Sequence, residues 1–268
     1  MTRLMRQSLL NTADICQTRL EFTLDPDRPN RGGVSRALGT GYHAGLDHLY
    51  TCRLNGLAYI KEDVLAAGAA SFVETLRWTD QFNWKVNDRI WTYGEVQELI
   101  ESMLLAYLDQ GCQWPDEYRV VAVEQPFTLD WIEGWKRHGT IDLLLQNLNT
   151  GWYYLVDHKT STKRWSAKKS TAAASSQAAW YLDVYREILG THEVSFVYDV
   201  MTHAGRFDRI PAHRTEPQIA LTKVRAIQVA DLIERNGPFL PNPSSNLCSE
   251  TYCDFYQECP YGQTLNAS

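Results

Sequence analysis

The spacing of apolar residues changes character near residue 115. Before it, apolar positions recur every three or four residues. In VSRALGTGYHAGLDHLY, Leu38, Tyr42, Leu46 and Leu49 share one helical face. Residues 8–22, 34–50 and most of 57–112 therefore read as helices, the last closing on Gly111. Beyond it, β-branched and aromatic residues gather, and 118–130, 134–146 and 152–159 read as strands. A helix over 171–190, a strand over 193–202, a short strand near 206–213 and a helix over 216–237 follow. This order predicts an α/β or α+β domain, a sheet core with helices packed on it.

The 268 residues suit one domain in three regions: helical 1–115, core 116–237 and a cysteine-rich tail 238–268. No apolar run approaches the ~20 residues that span a bilayer, so no membrane role is expected. The N-terminus has no apolar core of a signal peptide, which predicts a cytoplasmic protein. A net charge of −6 excludes a protein coated in basic charge, but not a local basic track.

The segment LLLQNLNTGWYYLV reads as a hairpin turning at Asn149, Thr150 and Gly151. With the loop at 148–151, Gln146 faces Tyr153, Leu144 faces Leu155 and Asp142 faces Asp157. Alternation puts Lys159 on the face of Asp157. Opposed carboxylates repel, and an apolar setting raises the cost. A divalent cation, Mg²⁺ or Mn²⁺, resolves the conflict. Taken alone, the same residues also read as a surface hairpin end with a weak Asp157–Lys159 ion pair.

Between His158 and Leu182 there is no acidic residue. Lys163, Arg164, Lys168 and Lys169 lie there with Trp165, a run suited to tracking phosphates and stacking a base, or to a solvated basic loop. Gln177 and Tyr181 share a helix face at i, i+4. Cys248, Cys253 and Cys259 crowd the tail, and Cys16, Cys52 and Cys112 are candidates for a fourth ligand to a [4Fe–4S] cluster or zinc. Asp47 and His48 follow His43; His48 reads as surface, and Glu124, at the end of its strand's apolar run, reads as a carboxylate behind the ligands or, more readily, as an ordinary solvent-facing glutamate.

Together the patches GTGYHAGLDHLY, GTIDLLL, YLVDHKTS and QAAWY, with the cysteines, resemble the PD-(D/E)XK nucleases, in particular RecB-type exonucleases with a C-terminal iron–sulfur cluster. The resemblance implies a restriction-endonuclease-like fold, a central mixed sheet flanked by helices behind a helical N-terminal region. It implies a metal-dependent DNA exonuclease of recombination, repair or phage replication. It makes His43, Asp142, Asp157 and the His158 carbonyl metal ligands, and an imidazole among oxygens favours Mn²⁺. Lys159 would orient the attacking water and, with a lowered pKa, accept a proton. Gln177 and Tyr181 would touch the catalytic centre or DNA. Cys16 becomes the fourth cluster ligand, although four residues separate Cys248 from Cys253 where those relatives have two. With no helicase motif, unwinding would fall to a partner. A DNA-end-binding protein that does not cut is the competing expectation.

Overall fold

The computed structural model describes residues 2–29, 31–86, 89–166, 175–250 and 252–263. The helical half comprises α1 (Gln7–Ile15), α2 (Gln17–Leu24), α3 (Val34–Leu54), α4 (Lys61–Arg77) and α5 (Tyr93–Asp109). Short strands β1 (Arg3–Arg6), β2 (Arg31–Gly33), β3 (Gln81–Asn83), β4 (Lys85–Val86) and β5 (Arg89–Ile90) fall among them. The core follows as β6 (Tyr118–Ile132), β7 (Trp135–Asn147), β8 (Tyr153–Ser161), α6 (Ser176–Leu189), β9 (Val194–Thr202), β10 (Phe207–Pro211) and α7 (Glu216–Glu234). A single turn, α8 (Pro260–Gln263), lies in the tail.

The main sheet is mixed and centred on β7. One edge of β7 takes β6 antiparallel along its whole length. The other edge is shared: β1 runs parallel to Trp135–His138, and β8 pairs antiparallel with Leu143–Gln146. From β8 the sheet continues to parallel β9 and then antiparallel β10. The β8–β9 connection is a crossover through α6, as a parallel pair requires.

Consecutive apolar residues leave these strands on opposite faces. Leu144, Leu155 and Phe196 join one buried cluster with residues of α1, α6 and α7. Leu143, Leu145, Val156 and Val197 join the other, with α3, α4 and α5. The sheet is therefore covered on both sides, the three-layer architecture expected from the element order. Local signals set the helix ends. A Thr92–Glu95 capping box starts α5, a Thr215–Gln218 box starts α7, and Gly190 in the left-handed region (φ 65°) closes α6.

Four features differ from the sequence expectation. Residues 8–22 are two helices, broken where Cys16 turns extended (φ −165°, ψ 122°). The 57–112 stretch is interrupted by β3, β4 and β5. Their partners include β2, some fifty residues upstream, which no local periodicity reports. Residues 3–6 form a strand because β7 offers an unpaired edge there. The described part of the helix expected over 171–190 begins at Ser176, capped by Ser175; 171–174 lie outside the described residues.

Helices α3, α4 and α5 approach closely through glycine. A Cβ on Gly41 would sit 2.6 Å from Ile100 Cδ1 and 3.1 Å from the Gly68 carbonyl oxygen. A Cβ on Gly68 would lie 3.0 Å from the Gly41 carbonyl oxygen. Replacing either glycine with valine forces the helices apart. Such overpacking costs about 1–3 kcal/mol. Urea unfolding should show a lower midpoint for Gly41→Val and Gly68→Val. Gly94→Ala, where no atom lies within 4 Å, should keep the wild-type midpoint or raise it.

Candidate active site

The β7–β8 ladder has the register expected from the turn: Gln146 faces Tyr153 and Leu144 faces Leu155. Its last pair is Leu143 with Val156. One step further Asp142 and Asp157 do not pair through their backbones. Instead the Asp142 carboxylate accepts the His158 amide at 2.8 Å. A side chain has taken over a ladder bond, and the strands open there.

On the other side of β7, Val123 faces Leu143 and Gln125 faces Ile141, which brings Glu124 opposite Asp142. Glu124 has φ 44°, rare for a residue with a side chain. Such strain persists only where the surroundings impose it, and it gathers at functional sites. Glu124, Asp142 and Asp157 thus form a row of carboxylates across three neighbouring strands. The sequence reading favoured a solvent-facing Glu124; the residue is exposed, and ligand atoms of Glu124, Asp142 and His43 come within 4.8 Å of one another.

His43 reaches the row from α3. Its Nε2 lies 2.6 Å from the His158 carbonyl oxygen, which can only accept, so Nε2 carries the proton. That carbonyl, expected from the resemblance as a metal ligand, accepts from His43 and keeps a second lone pair. The His43 Nδ1 faces Asp142 Oδ2 at 3.4 Å, a spacing that a proton or a cation between the two atoms would satisfy. Histidine ligands to metals are commonly held this way, with the second nitrogen donating to a carbonyl.

Asp47 lies one turn beyond His43 and hydrogen-bonds Glu124. Burial pushes its carboxyl up to about 9, reinforced by Glu124 and Asp142. Glu124 rises to about 7 through burial and the Asp142 charge. At neutral pH Asp47 thus keeps its proton and donates to Glu124. The i, i+4 spacing of His43 and Asp47 was the sequence signal for this residue.

Asp157 is buried. Lys159 Nζ lies 2.5 Å from its Oδ2, and Gln177 Nε2 donates to its Oδ1 at 2.7 Å. Burial raises its carboxyl to about 6, against the lowering effect of Lys159. For Lys159, burial lowers the pKa, but Asp157 and Asp142 outweigh it and hold the ammonium above its usual range. The lowered pKa expected from the sequence is therefore reversed. Gln177 touches the site as expected. Tyr181 donates to the Thr140 carbonyl at 2.8 Å and packs edge-on to Phe127, so it braces β7. His158 is buried and stacked on Tyr50, and burial lowers its pKa to about 3, which keeps it neutral.

The basic segment contributes less than its charge suggests. Arg164 is held by Asp208 of β10, with Nε 3.0 Å from Oδ2. Trp165 packs edge-on to Tyr198 and donates to Ser161, so its ring is committed to the core. Lys163 is exposed beyond the end of β8, while Lys168 and Lys169 lie outside the described residues. Cys16, Cys248, Cys253 and Cys259 line one small apolar cavity. Among the described residues, no three of their sulfurs come within 4.8 Å of one another. Cys112 is buried and Cys52 lies beside His48.

Three raised carboxyls set a sign for pH. A carboxyl whose folded pKa exceeds its unfolded value holds a proton that unfolding releases. Stability is then present at low pH and lost as pH rises through the folded pKa. The metal-free protein should lose several degrees of melting temperature between about pH 5 and about pH 9. Asp47→Asn, with no proton to lose, should flatten that slope, as thermal melts across the range would show.

The fold resembles a candidate exonuclease from Eubacterium rectale, with TM-score 0.51 and 10% identity, over 92% of this chain and 87% of that one. The solved structure of SSO0001 aligns over 95% of both chains at 12% identity, but its TM-score of 0.38 carries no weight. No curated protein matches the sequence. No helix among the described residues is long and apolar enough to cross a membrane. Residues 7–260 match the model of the PD-(D/E)XK nuclease superfamily, and the chain belongs to that superfamily.

Proposed function

We propose that this protein is a divalent-metal-dependent DNA exonuclease acting on linear ends. The observation that carries the reading is the convergence of His43, Glu124 and Asp142 beside the Asp157–Lys159 pair. The donor set, one imidazole nitrogen and carboxylate oxygens, fits Mg²⁺ or Mn²⁺ and favours the latter. His43, Asp142 and Glu124 would hold the ion, with Asp157 adjoining. A cation bound there supplies charge compensation at the phosphate and an acidified water. The exonuclease character draws on the description of the Eubacterium rectale protein. Service in recombination, repair or phage replication, with a helicase partner for unwinding, follows from the resemblance.

The remaining steps belong to the chain's own residues. Lys159, kept protonated, presents its ammonium to the charge that develops on the phosphate oxygens. It does not serve as the resting general base. Gln177 fixes one Asp157 oxygen so that the other meets Lys159. The protonated Asp47 holds Glu124, and the His158 carbonyl fixes the His43 ring, so both ligands are oriented before substrate arrives.

The cysteine cavity carries a second, structural part of this reading. The tail is stitched to the α1–α2 junction: Thr18 donates to the Phe239 carbonyl at 3.1 Å, and Asn242 to the Ile15 carbonyl at 3.0 Å. Four cysteines around one cavity, Cys16 among them, suit a [4Fe–4S] cluster, with zinc as the alternative.

Asp157→Ala and Lys159→Ala should each reduce Mn²⁺-dependent degradation of end-labelled linear DNA by roughly 10²-fold or more, with circular dichroism unchanged. Full activity in both variants sinks the reading. Wild-type protein that binds DNA ends yet cuts nothing, whichever divalent cation is supplied, would instead be an end-binding protein. Mn²⁺ should raise the melting temperature more at about pH 8 than at about pH 5, where protons compete for the carboxylates. Anaerobically purified protein should contain iron and acid-labile sulfide and absorb near ~400 nm. Zinc alone, or no metal, would refute the cluster.

A further inference from the structure

Helices α3 and α4 run antiparallel beside the carboxylates, and four close approaches fix their register. A Cβ on Gly45 would lie 3.0 Å from the Val64 carbonyl oxygen, and one on Gly41 3.1 Å from that of Gly68. Ser71 Oγ meets the Thr40 carbonyl at 3.5 Å, and a Cβ on Gly32 would fall 2.8 Å from Thr79 Oγ1. The end of α4 therefore lies beside the start of α3. Both helices line the cleft of about 470 Å³ that holds His43 and Glu124, with Ser35 and Ser71 at its outer end.

Trp78 stands just beyond that end. It caps α4 with a near-helical backbone (φ −94°, ψ 6°). Seven residues make nearly two helical turns, so Trp78 projects from the same face as Ser71. At 1.5 Å per residue it lies about 10 Å further out. At 74% it is the most exposed large apolar side chain among the described residues.

The indole is also anchored. Its Nε1 donates to Glu74 Oε2 at 3.1 Å, and Arg77 donates to Glu74 Oε1 at 2.6 Å. The polar groups at this corner hold the ring in place, so a partner that stacks on it need not order it first. The same groups disfavour a phosphate. Glu74 is acidic, and the last carbonyls of α4 carry the partial negative charge of a helix C-terminus. What this position offers a nucleic acid is an aromatic face, and an unpaired base is the part of DNA that fits it.

We propose that Trp78 is a stacking platform for one unpaired base of the strand being cut. Ser71 is level with Thr40, so the path from His43 to Trp78 is about 15 Å. A stacked strand covers that distance in about four nucleotides, and an extended strand in fewer. The base held by Trp78 is therefore a few nucleotides from the scissile phosphate. The proposal rests on the nuclease reading for the path of the strand. It adds that a base contact outside the metal centre positions the substrate.

The test measures binding of single-stranded oligonucleotides of about 20 nucleotides to wild type, Trp78→Ala and Trp78→Phe, with Ca²⁺. One oligonucleotide is intact, and the others carry a single abasic site at each of about six positions from either end. In wild type, an abasic site at one position, or at two neighbouring ones, should weaken binding about tenfold. Trp78→Ala should weaken binding of the intact strand by about the same factor, and Trp78→Phe should recover most of it. In Trp78→Ala the sensitive abasic site should cost nothing more, because base and ring form one interaction. The slope of log binding constant against log salt should not change, since no phosphate contact is lost. Wild-type affinity in Trp78→Ala overturns the proposal. So does an abasic penalty as large in Trp78→Ala as in wild type, which would mean a general loss of structure. A slope reduced by about 0.7 overturns it too, by showing a lost phosphate contact. If wild type binds these strands but cuts none with Mg²⁺ or Mn²⁺, the nuclease reading fails separately, and the abasic comparison still decides the platform.

Discussion

Where the strands β7 and β8 stop pairing, the Asp142 carboxylate takes the amide of His158 that the ladder would otherwise have used. The rest of the site depends on this exchange. It leaves Asp142 between Glu124 on one neighbouring strand and Asp157 on the other, three acids in a row on a sheet. Like charges in such an arrangement repel, and burial removes the water that would screen them. The chain answers with a proton on Asp47, an ammonium from Lys159 and an amide from Gln177. None of these matches the charge of the whole row, so a divalent cation remains the natural counterpart.

The helices serve the row from both faces. α3 brings His43 and Asp47 at one-turn spacing, and it can do so because glycines let α4 and α5 press closely behind it. α6 brings Gln177 to Asp157 and Tyr181 to the β7 backbone from the opposite face. A buried Asp199–Arg209 pair supports the sheet behind the site, with Nε 2.7 Å from Oδ1 and Trp114 donating to Oδ2. Acids on strands and adjusting groups on helices form a division of labour. The sheet sets the spacing of the ligands, and the helices set their protonation and orientation.

The chain ends meet at the α1–α2 junction. Cys16 leaves the helical conformation there, and backbone groups on both sides of it hold residues 239–242 of the tail. This contact joins segments more than 200 residues apart, so its benefit to stability lies in closing a long loop. The cysteines gather around the same junction, far from the carboxylates in sequence and on different elements.

Much of the site was legible before any coordinates. Turn chemistry at Asn149–Gly151 set the hairpin register, and that register alone put Asp142 across from Asp157. Alternation put Lys159 on the face of Asp157, and the family resemblance singled out His43 and Gln177. What sequence could not decide was whatever depends on strands and helices far apart in the chain. Glu124 looked like a solvent-facing glutamate because its role comes from β6 aligning with β7. The sign of the Lys159 shift required knowing that two aspartates, not one, surround it. Arg164 and Trp165 looked like a nucleic-acid surface, yet Asp208 and Tyr198, over thirty residues downstream, claim them. Local pattern determined the elements and the register of one hairpin. Only tertiary structure decided which charges are neighbours, because Coulomb interactions and desolvation act through space and carry no periodic trace in the chain.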